Sequence, residues 1–127
     1  MIDKLERDEL FYEIAHHETE KVKEKLKRDV DLNITDINKM TYLHVAVKHL
    51  DYDISEILVK MGAKIDCIDN NGNTPLMYAL GQAGNEAIRI AKLLIEKGAD
   101  LDLKAGKYSA RELIIMFEDE ELMELLK

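Results

Sequence analysis

One stretch of this chain constrains its fold more than any other: Asp69 to Ala79, which reads D-N-N-G-N-T-P-L-M-Y-A. Asn71-Gly72 offers the positive φ that a tight hairpin-like turn requires. Thr74 is placed to cap the helix that follows, with Pro75 at the first helical position, where its missing N–H costs nothing. Leu76 and Ala79, three apart, face one side of that helix. The same string stands earlier in weaker form. Asp36 precedes Asp69 by 33 residues and Thr41 precedes Thr74 by 33, and Thr41 is followed by Leu43, His44 and Ala46. Self-similarity at such a period marks a repeat architecture, in which one unit buries too little surface to stand alone.

The matching positions (Thr41, Leu43, His44 and Ala46, then Thr74, Pro75, Leu76 and Ala79) follow the motif T-P-L-H-x-A, and the chain resembles the ankyrin-repeat family over nearly its whole length. The resemblance implies an all-α solenoid of about eight helices stacked as antiparallel pairs, with little or no sheet. Two inner repeats, 36–68 and 69–104, stand between an N-terminal capping repeat, 1–35, and a C-terminal cap, 105–127. Tyr42 occupies the place where the family commonly has proline. Lys39 holds the place of Gly72, and a non-glycine residue at positive φ costs on the order of 1 kcal/mol.

Along the chain, Leu10, Phe11, Ile14 and Ala15 form the first apolar stripe, and His16-His17 close that helix. Thr19 is expected to cap a second helix carrying Val22 and Leu26. Asp53 and Glu56 predict a capping box for a helix with Ile54, Ile57 and Leu58 inward, ended by Gly62. Gly62 and Gly98 are 36 apart. The third segment therefore carries three extra residues between Ala79 and Gly98, around 81–85, as a longer loop or an extra turn of helix. Asn85 is expected to cap its second helix. Ser109 and Glu112 predict another capping box, with Leu113, Ile114 and Phe117 inward, and Asp119 starts a last helix bearing Leu122, Leu125 and Leu126. The predicted core includes Leu43, Ala46, Leu58, Leu76, Ala79 and Leu94. Met77 and Met116 fit core positions, whereas Met40 and Met61 are expected at the surface with Ile37 and Ile68, as an apolar patch around the second repeat.

Composition narrows the function. The net charge of −8 argues against a polyanionic ligand such as nucleic acid and favours a basic protein partner. The inner repeats are nearly neutral, so this acidity lies at the ends of the stack. Cys67 is the only cysteine, which excludes an intrachain disulfide and points to a reducing compartment. The N-terminus is charged from its third residue, unlike a signal peptide, and the longest aliphatic or aromatic run, Leu113 to Phe117, cannot span a bilayer. A cytoplasmic location, no membrane partner and a monomer when free are the expectations. No H-E-x-x-H, G-x-S-x-G, phosphate-binding glycine loop or paired cysteines occur. His16 and His17 are adjacent on a helix and point about 100° apart, which does not suit one shared ion. The chain is read as a non-enzyme without catalytic residues, cofactor or metal.

The resemblance implies a protein-binding module that meets its partner through turn tips and inner helices. His44 would be a buried hydrogen-bonding strut. Mapped onto this chain, the family's contact positions are Ile37, Asn38, Met40, Lys48 and His49, then Asn70, Asn71, Asn73, Gly81 and Gln82. Amide side chains both donate and accept hydrogen bonds, so the second group suits a partner's backbone. A toxin-neutralising immunity protein or an inhibitor fits this reading; the alternative is a regulatory or structural subunit of a larger assembly.

Overall fold

A computed structural model describes residues 2–127; Met1, counted above in the opening repeat, lies outside them. Among the described residues there are eight helices and no strand: α1 Lys4–Ala15, α2 Thr19–Leu26, α3 Tyr42–Lys48, α4 Tyr52–Lys60, α5 Pro75–Leu80, α6 Asn85–Glu96, α7 Ala110–Phe117 and α8 Glu120–Glu124. Short polar side chains start most of them. Thr74 accepts from the Met77 N–H with Pro75 at the first helical position, and Ser109 forms the expected capping box with Glu112. The last helix starts where Asp119 was expected to open it, with Asp119 itself as the cap, accepting from the Leu122 N–H, and Glu120 and Glu121 in the first turn.

Three caps differ from expectation. The cap of α4 is Asp51, which accepts from the Ile54 N–H, so Asp53 lies inside the helix and its box with Glu56 does not form. Thr19 and Asn85 are first helical residues rather than caps. They follow Glu18 and Gly84, neither of which makes a side-chain cap bond. Each of these helices begins one or two residues past a tight, left-handed connection. His17, Leu50, Gly84 and Glu118, evenly spaced along the chain, all take positive φ there. The α1 connection satisfies its own carbonyls, with His17 N–H donating to Ile14 and Glu18 N–H to Glu13. A preference read from Asp, Thr and Asn alone cannot see that a reversing backbone has fixed the start.

The extra residues of the third segment go mainly into helix. α6 has 12 residues against 9 in α4, and the connection before it is 81–84.

Two rows result, α1, α3, α5 and α7 stacking in order, with α4, α6 and α8 in order behind them and α2 paired to α1. Between the rows runs one core, in which Leu43, Ala46, Leu58, Leu76, Ala79 and Leu94 are all buried, as predicted. At the N-terminal end, polar side chains tie α1 to α2. Lys25 Nζ, itself buried, lies 2.7 Å from Glu13 and 3.4 Å from Glu9. Burial alone would depress its pKa; the carboxylates of Glu13 and Glu9 outweigh that and hold it raised. At the other end the prediction fails for two side chains. Met116 and Phe117 are 53% and 54% exposed, because only Ala110 and Ile114 of α7 are buried in the stack.

Tails and turns join the units. Asn33 Oδ1 accepts from the Lys64 N–H at 2.9 Å, and Asp66 Oδ1 accepts from the Asp100 N–H at 3.0 Å.

Candidate functional site

The turns before α3 and α5 are built alike. Asp36 Oδ1 accepts from the N–H groups of Asn38 and Met40 at 2.8 and 2.9 Å, and Asp69 Oδ1 does the same for Asn71 and Asn73 at 2.9 and 3.0 Å. Lys39 takes φ 60° where Gly72 takes φ 77°, so the lysine turn keeps the glycine geometry and carries its strain. Neighbouring tips are locked together, because the Asn70 N–H donates to the Asn38 carbonyl at 2.9 Å and its side-chain amide to the Ile37 carbonyl at 3.3 Å.

This frame sorts the sequence-predicted residues. Ile37 projects almost entirely into solvent, 92% exposed, with Asn38, Asn70 and Asn71 exposed beside it. Met40 is the exception. Expected at the surface, it is only 6% exposed, because the Asp36 turn folds its side chain back into the core. The expected patch around the second repeat thus reduces to Ile37, Met61 and Ile68. Lys48, Asn73, Gly81 and Gln82 are brought together in one shallow cleft of about 460 Å³ along the inner helices, and His49 is exposed next to Lys48.

Two further residues complete that cleft, Met77 and Tyr78. The Tyr78 hydroxyl donates to Asp69 Oδ2, and Lys48 Nζ stands 5.9 Å from its ring centroid. Burial, then the Asp69 carboxylate, raise the Tyr78 phenol above its usual pKa, so it stays a neutral donor. The sequence carried one sign of this residue: an aromatic at the variable x of T-P-L-H-x-A, where the preceding segment has Val45. The Gln82 amide is partly spent inside the stack, donating to the carbonyls of Lys48 and Tyr78, both at 3.1 Å. The site is therefore a row of exposed tips, one apolar and the rest amide-rich, leading into a cleft that offers a cation, a tyrosine ring and a thioether.

The histidines hold structure. His44 Nδ1 accepts from the Thr41 N–H at 3.1 Å and Nε2 donates to the Asn73 carbonyl at 2.9 Å, so the neutral ring fills the strut role and burial lowers its pKa. His17 Nδ1 meets Asp51 Oδ2 at 2.9 Å, which fixes the residue that caps α4. His49 has its pKa lowered by burial and by nearby Lys48, His17 and His16. Among the described residues, no three His, Cys, Asp or Glu side chains gather as a metal-ligating group. Nor is any helix of these residues long and apolar enough to cross a membrane.

Comparison with known proteins decides the family. A family model described as three copies of the ankyrin repeat matches residues 10–105. The chain belongs to the ankyrin-repeat family. An ankyrin repeat protein of Rickettsia felis is 38% identical over 88 residues, which covers 63% of this chain and 39% of that protein. One from Rickettsia bellii is 36% identical over 97 residues, covering 70% of this chain and 27% of that one. The ankyrin chain described here thus spans well under half of these relatives. Among solved structures, one chain matches with TM-score 0.67 and 31% identity over 77% of this chain and 50% of its own. It belongs to the complex of Bd0816, a predatory endopeptidase from Bdellovibrio bacteriovorus, with immunity protein Bd3460. Ankyrin repeats are protein-interaction modules, generally scaffolds rather than enzymes.

Proposed function

We propose that this ankyrin domain binds a folded protein partner through its turn tips and the adjoining cleft, and that binding neutralises or inhibits the partner, as an immunity protein does. The observation that carries the binding face is exposed Ile37 on a pair of turns cross-bonded through Asn70, next to a cleft that Lys48 and Tyr78 line on the helices those turns lead into. A preorganised row loses little side-chain and loop entropy on association. Ile37 supplies an apolar anchor of the kind that dominates binding energy, and the Asn tips supply donors and acceptors for a partner's backbone. The inhibitory reading is supported by likeness to a chain from an endopeptidase–immunity protein complex.

Photo-crosslinking in the native host tests both parts. A photoreactive amino acid placed at Ile37 or at Lys48 captures one partner protein, while the same probe at Lys60 or Lys92 on the outer helices captures none. Capture from the outer helices alone sinks the face assignment. Purified domain added to the captured partner then lowers that partner's activity. Stoichiometric binding without loss of activity makes this chain a structural or regulatory subunit instead.

A further inference from the structure

The connections that follow α1 and α3 are built alike. His17 and Leu50 both take φ 57°, the His17 N–H donating to Ile14 at 3.1 Å and the Leu50 N–H to Val47 at 2.9 Å. His16 and His49, 33 residues apart, hold the same place in the two connections. His17 Nδ1 joins them by donating to Asp51 Oδ2 at 2.9 Å, and the Gln82 amide extends the row to the Lys48 carbonyl at 3.1 Å. Three imidazoles and one ammonium are thereby gathered beside the Tyr78 cleft. The charged groups that bear on His49 are Lys48, His17 and His16, all of them bases.

These imidazoles can gain a proton without loss of structure. His16 Nδ1 donates to the Tyr12 carbonyl at 2.9 Å, and its ring stacks on Tyr12 with centroids 3.9 Å apart. His17 also spends Nδ1, so each ring keeps Nε2 without a partner among the described residues, and both side chains are exposed. His49 is exposed too. His44 differs, because both of its nitrogens are committed. The carboxylates close by are occupied. Asp51, 8% exposed, caps α4 as well as holding His17; Glu18 pairs with Lys21, and Glu13 with buried Lys25. Glu20 and Asp53 lie on the first turns of the outer helices α2 and α4, where the helix dipole favours them. Tyr78 is a neutral donor to Asp69, and Lys48 pairs with no carboxylate among the described residues.

A basic spot persists on a chain of net charge −8 because exposed charges beyond about 8 Å are largely screened at physiological salt. We propose that this cluster receives an acidic segment of the partner protein, whose carboxylates pair with Lys48 and with protonated Nε2 of His16 and His49, so that binding takes up protons and tightens as pH falls. The assignment rests on the tips and cleft being the binding face.

The full chain is titrated with a fluorescein-labelled deca-glutamate peptide at pH 7.5 and at pH 6.0. Binding is followed by anisotropy and mapped by backbone amide shifts. Expected are saturable binding, shifts confined to 12–17, 45–50 and 78–82, and an affinity about tenfold higher at the lower pH. Lys48→Gln weakens binding at both values, and His16→Gln/His49→Gln flattens the pH dependence. No saturable binding, shifts mapping elsewhere, or equal affinity at the two pH values overturns the proposal, and the unaltered chain decides this even if a variant unfolds. Deca-lysine binding at the same residues overturns it too. A partner captured through Ile37 and Lys48, with deca-glutamate left unbound, sinks the acidic assignment and spares the binding face. Deca-glutamate bound at the cluster, with no protein captured from either probe, supports the chemistry of the cluster and sinks the face.

Discussion

His44 and Asn73 are joined through the imidazole Nε2 and the backbone carbonyl at 2.9 Å, 29 residues apart in sequence. One buried ring thereby closes the cap of α3 and fastens it to the turn before α5. The fit requires a neutral ring, since Nδ1 must accept from the Thr41 N–H while Nε2 donates.

That requirement sets a pH dependence. Burial lowers the folded pKa of His44 from 6.5, against an opposing pull from Asp69 and Asp36. Below 6.5 the unfolded chain binds the extra proton first, so stability is full above that value and is lost as pH falls toward the folded pKa. His49, also lowered, adds in the same sense. Urea midpoints should fall from pH 7 to pH 5, and His44→Gln, which can still accept from Thr41, should flatten the slope. An unchanged slope in that variant would remove His44 as its source.

Met40 and Ile37 should respond oppositely to truncation. Met40→Ala empties a core position and costs roughly 2–5 kcal/mol, as does Leu76→Ala. Ile37→Asp, at a fully projecting tip, stays within about 0.5 kcal/mol. Chemical denaturation of the three variants checks the correction made for Met40.

Lys39→Gly should be neutral or stabilising by up to about 1 kcal/mol, since Lys39 holds φ 60° against the preference of a side chain. Gly72→Ala at the equivalent place should destabilise. An added Cβ there meets positive φ and Gly106 backbone at 3.3 Å. Melting temperatures of the two variants should move in opposite directions or differ clearly in size.

Glu13→Ala should cost about 1.5–3 kcal/mol by taking the closest partner from buried Lys25. Replacing both, Glu13→Leu with Lys25→Met, should recover most of that loss, because an apolar pair needs no desolvation of charge. A double variant as unstable as the single one would mean that packing, not charge, holds α1 to α2.

What could be read in advance depended on whether a residue acts on its own backbone or on distant chain. Asp36 and Asp69, each through Oδ1, and Thr74 and Ser109 accept from N–H groups within four residues of themselves, and their turns and caps were legible. So was the core, because apolar spacing on one helix decides which side faces its pair. Met40 was misplaced because its burial depends on where the Asp36 turn sends the chain. Met116 and Phe117 were misplaced because helical spacing says which residues share a face, not whether a neighbour covers it. In the site, Tyr78 went unnoticed since its role arises only when Asp69 and Lys48 close around it in space.

The tail bonds from Asn33 to Lys64 and from Asp66 to Asp100 bear on how such a chain can be inherited. Asn33 and Asp66 stand one period apart and offer the same side-chain oxygen to the following unit. Excising 36–68 in register would leave Asn33 facing the amide that Asp66 now serves. A duplication or loss of one whole period is therefore silent at the joint, while a length change of any other size must be absorbed within a unit. The longer α6 records one such absorbed change.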